Sequence, residues 1–204
     1  METKDRILQA ALELFFRFGI KSVTMDDIAR HMAMSKKTIY KFFRDKDEVV
    51  HTLMENELKR DIEEFSEIAR NASNVVEEVF NHMKKMHQML NNINPNIFYD
   101  LQKYHPKTWA IFHEFRTTFA FRQVFDALEK GKKEGLVRQD VNSEMMARLR
   151  VEEIDLGFNP TIFPPDKFRM IDINLAFVEH WLYGVCTLKG HKLINKYKQI
   201  VEEE

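Results

Sequence analysis

Apolar residues recur at intervals of three and four along most of this chain, the spacing of helices with one buried side. Ile7, Leu8, Ala11, Leu14, Phe15 and Phe18 form the first such stripe, with Thr3 as the expected N-cap and Gly19 ending the helix. Thr24 with Asp27 three residues on forms a short-armed capping box, and it opens a brief helix carrying Met25, Ile28, Ala29 and Met32 on one side. Ala33 and Met34 leave room only for a tight connection before Ser35. That serine is expected to cap a third helix reaching Phe42 or Phe43, with Ile39 and Phe43 turned inward. Asp45 and Asp47 mark the start of a fourth helix, which Val49, Val50, Leu53, Met54 and Leu58 continue.

Longer patterns follow. Val75, Val76, Val79, Met83, Met86 and Leu90 make one stripe, closed by the turn-like NNINPN of residues 91 to 96. A short helical segment is expected from Ile97 to Tyr104. Pro106 suits the first turn of a long helix running through Trp109, Phe112, Phe115, Phe119, Val124, Phe125 and Leu128. Gly131 and Gly135 read as the brackets of a polar connection. A helix from Ser143 to Ile154 gives way to a proline-bearing loop, and one long pattern from Asp166 to about Lys189 precedes a charged tail after Gly190. No window reads as a strand. The expected class is all-α: an N-terminal three-helix head with a helix-turn-helix at residues 1–48, and a larger helical regulatory and dimerisation domain at 49–204.

Charge sharpens the picture of the head. The chain's formal net charge is only -1, but it is unevenly spread: +2 over residues 1 to 60 and -3 over the rest. Within residues 30 to 46, Arg30, Lys36, Lys37, Lys41, Arg44 and Lys46 face a single acid, Asp45. Lys36 and Lys37 lie in the first turn of the third helix, where a cation works against the helix dipole by about 0.3–1 kcal/mol. A phosphate or a guanine edge would offset that, and a helix of this size fits the major groove of double-stranded DNA. Tyr40 and Lys41 suit phosphates, Thr38 a thymine methyl or the DNA backbone, and Lys46 a phosphate met together with the free N–H groups of the fourth helix. Thr24 can act likewise at the second helix. On charge alone, a lysine cluster is more often a solvated face.

Residues 6 to 50, RILQAALELFFRFGIKSVTMDDIARHMAMSKKTIYKFFRDKDEVV, resemble the DNA-binding region of the TetR/AcrR family of transcriptional regulators. The pairs Ala10–Ala11, Leu14–Phe15 and Phe18–Gly19 carry the likeness, with Thr24, Ile28, Ala29, Ser35, Thr38, Tyr40, Phe43 and Lys46. Lys37 stands where the family often has glycine, which implies an altered operator preference on an unchanged fold. The resemblance implies DNA contacts at Thr24, Ser35, Lys36, Lys37, Thr38, Tyr40, Lys41 and Lys46. It also implies a homodimer built through Met145 to Ile154 and Phe168 to Leu188, with Gly184 allowing close helix approach. Pattern alone reads those stripes equally as an internal core.

The family likeness further implies a repressor released from a palindromic operator by a small, largely apolar effector. Met83, Met86, His87, Phe98, Tyr99, Trp109, Phe112, Phe115 and Phe119 are the candidate lining, although each taken singly reads more readily as core. No cofactor is expected. His82 and His87 are five apart, and His105 and His113 eight apart, so neither pair has the i,i+4 spacing of helical zinc motifs. The chain has no Walker loop, dinucleotide fingerprint, nucleophile elbow or HExxH pair, and an enzyme is not expected. A helical adaptor that keeps the head fold without binding DNA is the other rival. Cys186 is the only cysteine, and neither a signal peptide nor an apolar run of membrane-spanning length stands out, so a cytoplasmic protein away from membranes is expected.

Overall fold

The computed structural model describes residues 2–91 and 93–200, which divide into two compact units. The first comprises Met1–Asp61 and Asn92–Glu114. It holds α1 (Thr3–Phe18), α2 (Met25–His31), α3 (Lys36–Ile39), the start of α4 (Lys46–Asn71), α6 (Ile97–Tyr104) and nearly all of α7 (Pro106–Phe115). One apolar cluster ties it together. Ile7, Ala11 and Phe15 of α1, Ile28 of α2, Ile39 of α3 and Val49 and Val50 of α4 are buried with Ile97 and Leu101 of α6. Polar contacts fasten the later segment as well: the Lys21 N–H donates to Asp100 Oδ2 at 2.8 Å, and the Asn94 N–H to the Phe16 carbonyl at 2.7 Å.

Local sequence explains where these helices begin and end. Glu2, not Thr3, occupies the N-cap of α1, and no side chain caps it; Thr3 is already helical. Gly19 follows at φ +82°, a backbone state open to glycine, and its N–H donates to the Phe15 carbonyl. The α2 capping box is complete in both directions between Thr24 and Asp27. Ala33 takes φ +53° in the turn, an uncommon state for a residue with a Cβ. Regular α3 is shorter than the sequence suggests, ending at Ile39, because Lys41 and Phe42 donate to carbonyls three residues back and tighten the chain into turns. Phe43 is still only 1% exposed.

The second unit comprises Ile62–Asn91 and Phe115–Glu204. It contains the rest of α4, α5 (Val75–Leu90), a π-helical turn at Arg116–Ala120, α8 (Phe121–Lys133), α9 (Ser143–Gly157), α10 (Met170–Val185) and α11 (Leu188–Lys198). Helix α5 packs on α8, α10 and α11, while α9 packs on α8 and α10. Their shared core is Val76, Val79, Leu128, Ala147, Trp181, Leu182 and Ile194 with their neighbours.

Four sequence expectations are corrected here. The long pattern after Pro106 is interrupted by the π turn, beside the fully buried Arg116, whose Nη2 lies 2.5 Å from Asp155 Oδ2. Gly131 does not bracket a loop: it is buried inside α8, and Lys132 and Lys133 are helical after it. Within the pattern from Asp166 to Lys189, α10 spans only Met170–Val185, with Arg169 at its N-cap and Cys186 at its C-cap, and Leu188 and Lys189 already belong to α11. After Gly190 comes more of α11, so the charged stretch there is helical as far as Lys198; residues 201–204 of that tail lie outside the described residues. The apolar side of α11, Leu193 and Ile194, is what the lysines around it hide from a composition-based reading. Among the described residues, no helix is long and apolar enough to cross a membrane.

Candidate nucleic-acid interface

The helix-turn-helix sets two short helices in contact through a tight turn, with their buried sides in the common core of the first unit. Ser35 caps α3 by accepting the Thr38 N–H at 3.1 Å, and its hydroxyl lies 2.8 Å from Thr38 Oγ1. Ile39 and Phe43 anchor one side of the segment. Lys36, Lys37, Tyr40 and Lys41 are left exposed, and Thr38 is half-buried. The structure therefore brings Ser35, Lys36, Lys37, Thr38, Tyr40 and Lys41 onto one short cationic segment.

The cations differ in their state. Lys37 and Lys41 make no ion pair among the described residues. Lys36 reaches back to Asp26 on α2, its ammonium 2.9 Å and 3.0 Å from the two carboxylate oxygens, and it stands 5.9 Å from the Tyr40 ring centre. The hydrogen bond to Asp26 raises its pKa. Arg44 is paired with Asp45 at 2.8 Å and Arg30 with Asp27 at 3.6 Å. Lys46, at the first position of α4, is half-buried and donates to the Lys21 carbonyl at 3.4 Å; burial lowers its pKa. Thr24 is exposed but already occupied, its hydroxyl donating to Asp27 Oδ2 at 2.6 Å. Sequence reasoning missed Asp26. An acid ten positions before a lysine carries no local signal, and only the turn between α2 and α3 makes the two neighbours.

Residues 7–53 match the family model of the bacterial regulatory proteins of the tetR family. The head is TetR-like. The resemblance in residues 6 to 50 is thus borne out, and most of the chain is similar to proteins described as HTH-type transcriptional regulators. An uncharacterized HTH-type transcriptional regulator of Bacillus subtilis (strain 168), YvaF, is 26% identical over 187 residues, covering 88% of this chain and 94% of that protein. The reduced form of E. coli NemR superposes with a TM-score of 0.72 at 10% identity, covering 92% of this chain and 98% of that one. FadR from Bacillus subtilis, solved in complex with stearoyl-CoA, gives a TM-score of 0.64 at 16% identity over 89% of this chain and 98% of that one. At such identities the two structures speak to the fold, which is the all-α arrangement of a TetR-like head followed by a larger helical body.

The expected effector-lining residues fall in both compact units. Phe98, Tyr99, Trp109 and Phe112 belong to the first, where Phe98 and Trp109 pack against the head's core and stand 5.6 Å and 5.4 Å from the Phe112 ring. Tyr99 is exposed, its hydroxyl accepting from Lys103 at 2.9 Å. Met83, Met86, His87, Phe115 and Phe119 belong to the second; Phe115 stacks on Phe119 at 5.3 Å, and His87 is exposed. A shallow groove of about 430 Å³ lies elsewhere, on the TetR-like head, bordered by Leu14, Phe18, Val23, Asp27, Arg30 and His31.

Among the described residues, no group of three or more His, Cys, Asp or Glu side chains could hold a metal ion. Burial pushes the Cys186 thiol up to about 11, far from the range of a reactive thiolate at neutral pH.

Proposed function

We propose that the protein is a sequence-specific DNA-binding transcriptional regulator, acting as a homodimeric repressor on a palindromic operator. The observation that carries this reading is the cationic α3 segment, held by Ile39 and Phe43 on a TetR-like core with its lysines in solvent. Thr24, Ser35, Lys36, Lys37, Thr38, Tyr40, Lys41 and Lys46 are the proposed contacts, within a DNA-binding region of residues 1–48. Lys37, Lys41 and Lys46 supply the positive charge for phosphates, and the first turn of α3 faces base edges.

One such segment offers too few contacts for operator-level affinity, so two copies must act together. Helix α9 supports a second copy: Met145, Leu149 and Leu156 are 64%, 49% and 39% exposed along it. Leu188, the first residue of α11, is 79% exposed.

The effector is proposed to be largely apolar and to bind in the helical body, where Met83, Met86, Phe115 and Phe119 lie. The stearoyl-CoA held by a FadR of like fold supports an apolar ligand class. To release DNA it must bind the DNA-incompetent state more tightly, since equal affinity shifts nothing.

Selection of binding sites from random duplexes tests the central claim. Enrichment of a two-fold symmetric sequence is expected, and absence of any preferred duplex at low ionic strength refutes it.

A further inference from the structure

The pairing of Lys36 with Asp26 has a consequence for how the proposed operator is read, and this inference rests on the DNA-binding reading above. An ammonium group has three N–H donors. In Lys36 one of them goes to Asp26 Oδ2 at 3.0 Å, with Oδ1 also 2.9 Å from the nitrogen, and the others remain for a further partner. The pair carries no net charge, whereas Lys37 and Lys41 make no ion pair among the described residues.

An exposed ion pair is worth little in isolation, so a DNA phosphate could in principle capture Lys36. Capture would leave the Asp26 carboxylate unpaired, and both residues are about half exposed on the face that meets the DNA. A bare acid beside the phosphate backbone is repelled by it, and that repulsion works against the exchange. The second acid of the same turn cannot take over the lysine. Asp27 is held by Thr24 and lies 3.6 Å from Arg30.

We infer that Asp26 is a specificity-determining positioning residue: it withdraws Lys36 from phosphate neutralisation and presents its remaining N–H donors to a base edge. The donors of a lysine fixed in this way suit the O6 and N7 acceptors of guanine in the major groove. The cationic segment thus divides its work, with Lys41 supplying affinity that is indifferent to sequence and Lys36 adding discrimination beside that of Lys37. Keeping one cation paired with an acid also lowers binding to the many non-operator sites, which raises the ratio on which regulation depends.

The test compares wild type, Asp26→Asn, Lys36→Met and the double variant, each titrated between 50 and 200 mM salt on the selected operator and on a scrambled duplex. Freeing one cation per head is expected to steepen the slope of log K against log salt by about 0.9 for each head, or about 1.8 for a dimer. Over that salt range the added loss is about 12-fold. The operator-to-scrambled ratio should fall in Asp26→Asn, and the substitution should have no effect in the Lys36→Met background.

An unchanged slope in Asp26→Asn overturns the inference, as does an effect that persists without Lys36, which would mean that the acid acts on phosphates directly. Asp26→Ser repeats the measurement with another residue suited to a helix start, and melting curves establish that each variant is folded. A wild type that prefers no duplex overturns the DNA-binding reading and this inference with it. A selective wild type with unaltered Asp26 variants overturns only the inference.

Discussion

Gly131 and Gly184 both lie inside helices, yet replacing each by alanine is expected to move stability in opposite directions. Either change removes the conformational cost of a helical glycine, a gain of up to about 1 kcal/mol. At Gly131 the new Cβ would stand 2.4 Å from Val137 Cγ2 and 2.9 Å from Val75 Cγ1, where carbon atoms prefer about 3.5–4.0 Å. Neither valine is free to retreat. Val137 forms an antiparallel bridge with Cys186, and Val75 opens α5 behind the Asn74 cap, its N–H donating to Glu134. Overpacking of this kind costs about 1–3 kcal/mol, so the net loss at Gly131 is about 1–2 kcal/mol. At about 2–4 °C per kcal/mol for a chain of this size, Gly131→Ala should melt about 2–8 °C below wild type. At Gly184, among the described residues, nothing beyond its own helix backbone and chain neighbours lies within 4 Å of the added Cβ, and Gly184→Ala should melt up to about 4 °C higher. Calorimetry on both variants reads the contrast directly, and a Gly131→Ala protein as stable as wild type would refute the packing argument. Sedimentation equilibrium on the Gly184 variant adds a second reading: if that surface seats a second copy closely, the gain in melting temperature turns to a loss and the dimer weakens.

Lys46→Ala is expected to weaken binding about equally on all duplexes and to lower the salt slope by about 0.9 per head, whereas Lys37 substitutions also change site preference; salt titrations on two unrelated sequences separate the two roles. Phe43→Ala, at a ring 1% exposed in the head's core, should cost about 3–5 kcal/mol in denaturant unfolding and abolish operator binding in gel-shift titrations. Burial lowers the pKa of His82, whose ring meets Phe65 edge-on at 5.3 Å and whose Nε2 is buried without a hydrogen bond, and burial likewise lowers that of His105 despite Asp47 at 2.7 Å. Each contributes stability that is present above the ordinary value of 6.5 and lost as pH falls through the lower folded value. Glu78 pulls the other way: its pKa is raised chiefly by burial, so its contribution is present below the ordinary 4.5 and lost as pH rises through the folded value. Comparing His82→Gln with wild type isolates the histidine. Melting temperatures of wild type should fall faster than those of the variant between pH 7 and pH 5, and parallel curves would contradict the assignment.

What the sequence made legible was whatever short-range chemistry decides. The Thr24–Asp27 box, the Ser35 cap and the bounds of α6, set between the NP turn and Pro106, all appear in the fold as the residues suggest. Gly131 misled because glycine reads as a breaker by default, while here a side chain is excluded by Val137, six residues on, and by Val75 at the start of α5. Arg116 reads as one more solvated charge, and partners on α9, the Asp155 carboxylate and the Val151 carbonyl, accompany its burial at the start of the π turn. In the candidate interface, the residues of α3 were legible because they share one short helix. The state of each cation was not, since Lys36 and Lys46 are set apart by an acid and a carbonyl brought near by turns.

The four residues of α3 cannot form a stable helix by themselves, because nucleating a helical turn in water is unfavourable and a single turn adds too few bonds to recover the loss. Its geometry is therefore imposed by what surrounds it: the Ser35 cap at one end, the strained Ala33 turn before it, and Ile39 and Phe43 fixed beneath. That core extends beyond the first 48 residues, since Ile97 and Leu101 complete it and Asp100 holds the Lys21 backbone. A loss of packing at Leu101, which touches no nucleic acid in the proposed arrangement, should thus lower operator affinity by reducing the fraction of molecules whose α3 is ordered. Because the ordered fraction enters every duplex equally, such a change scales all affinities by one factor and leaves both the salt slope and the sequence preference as they were.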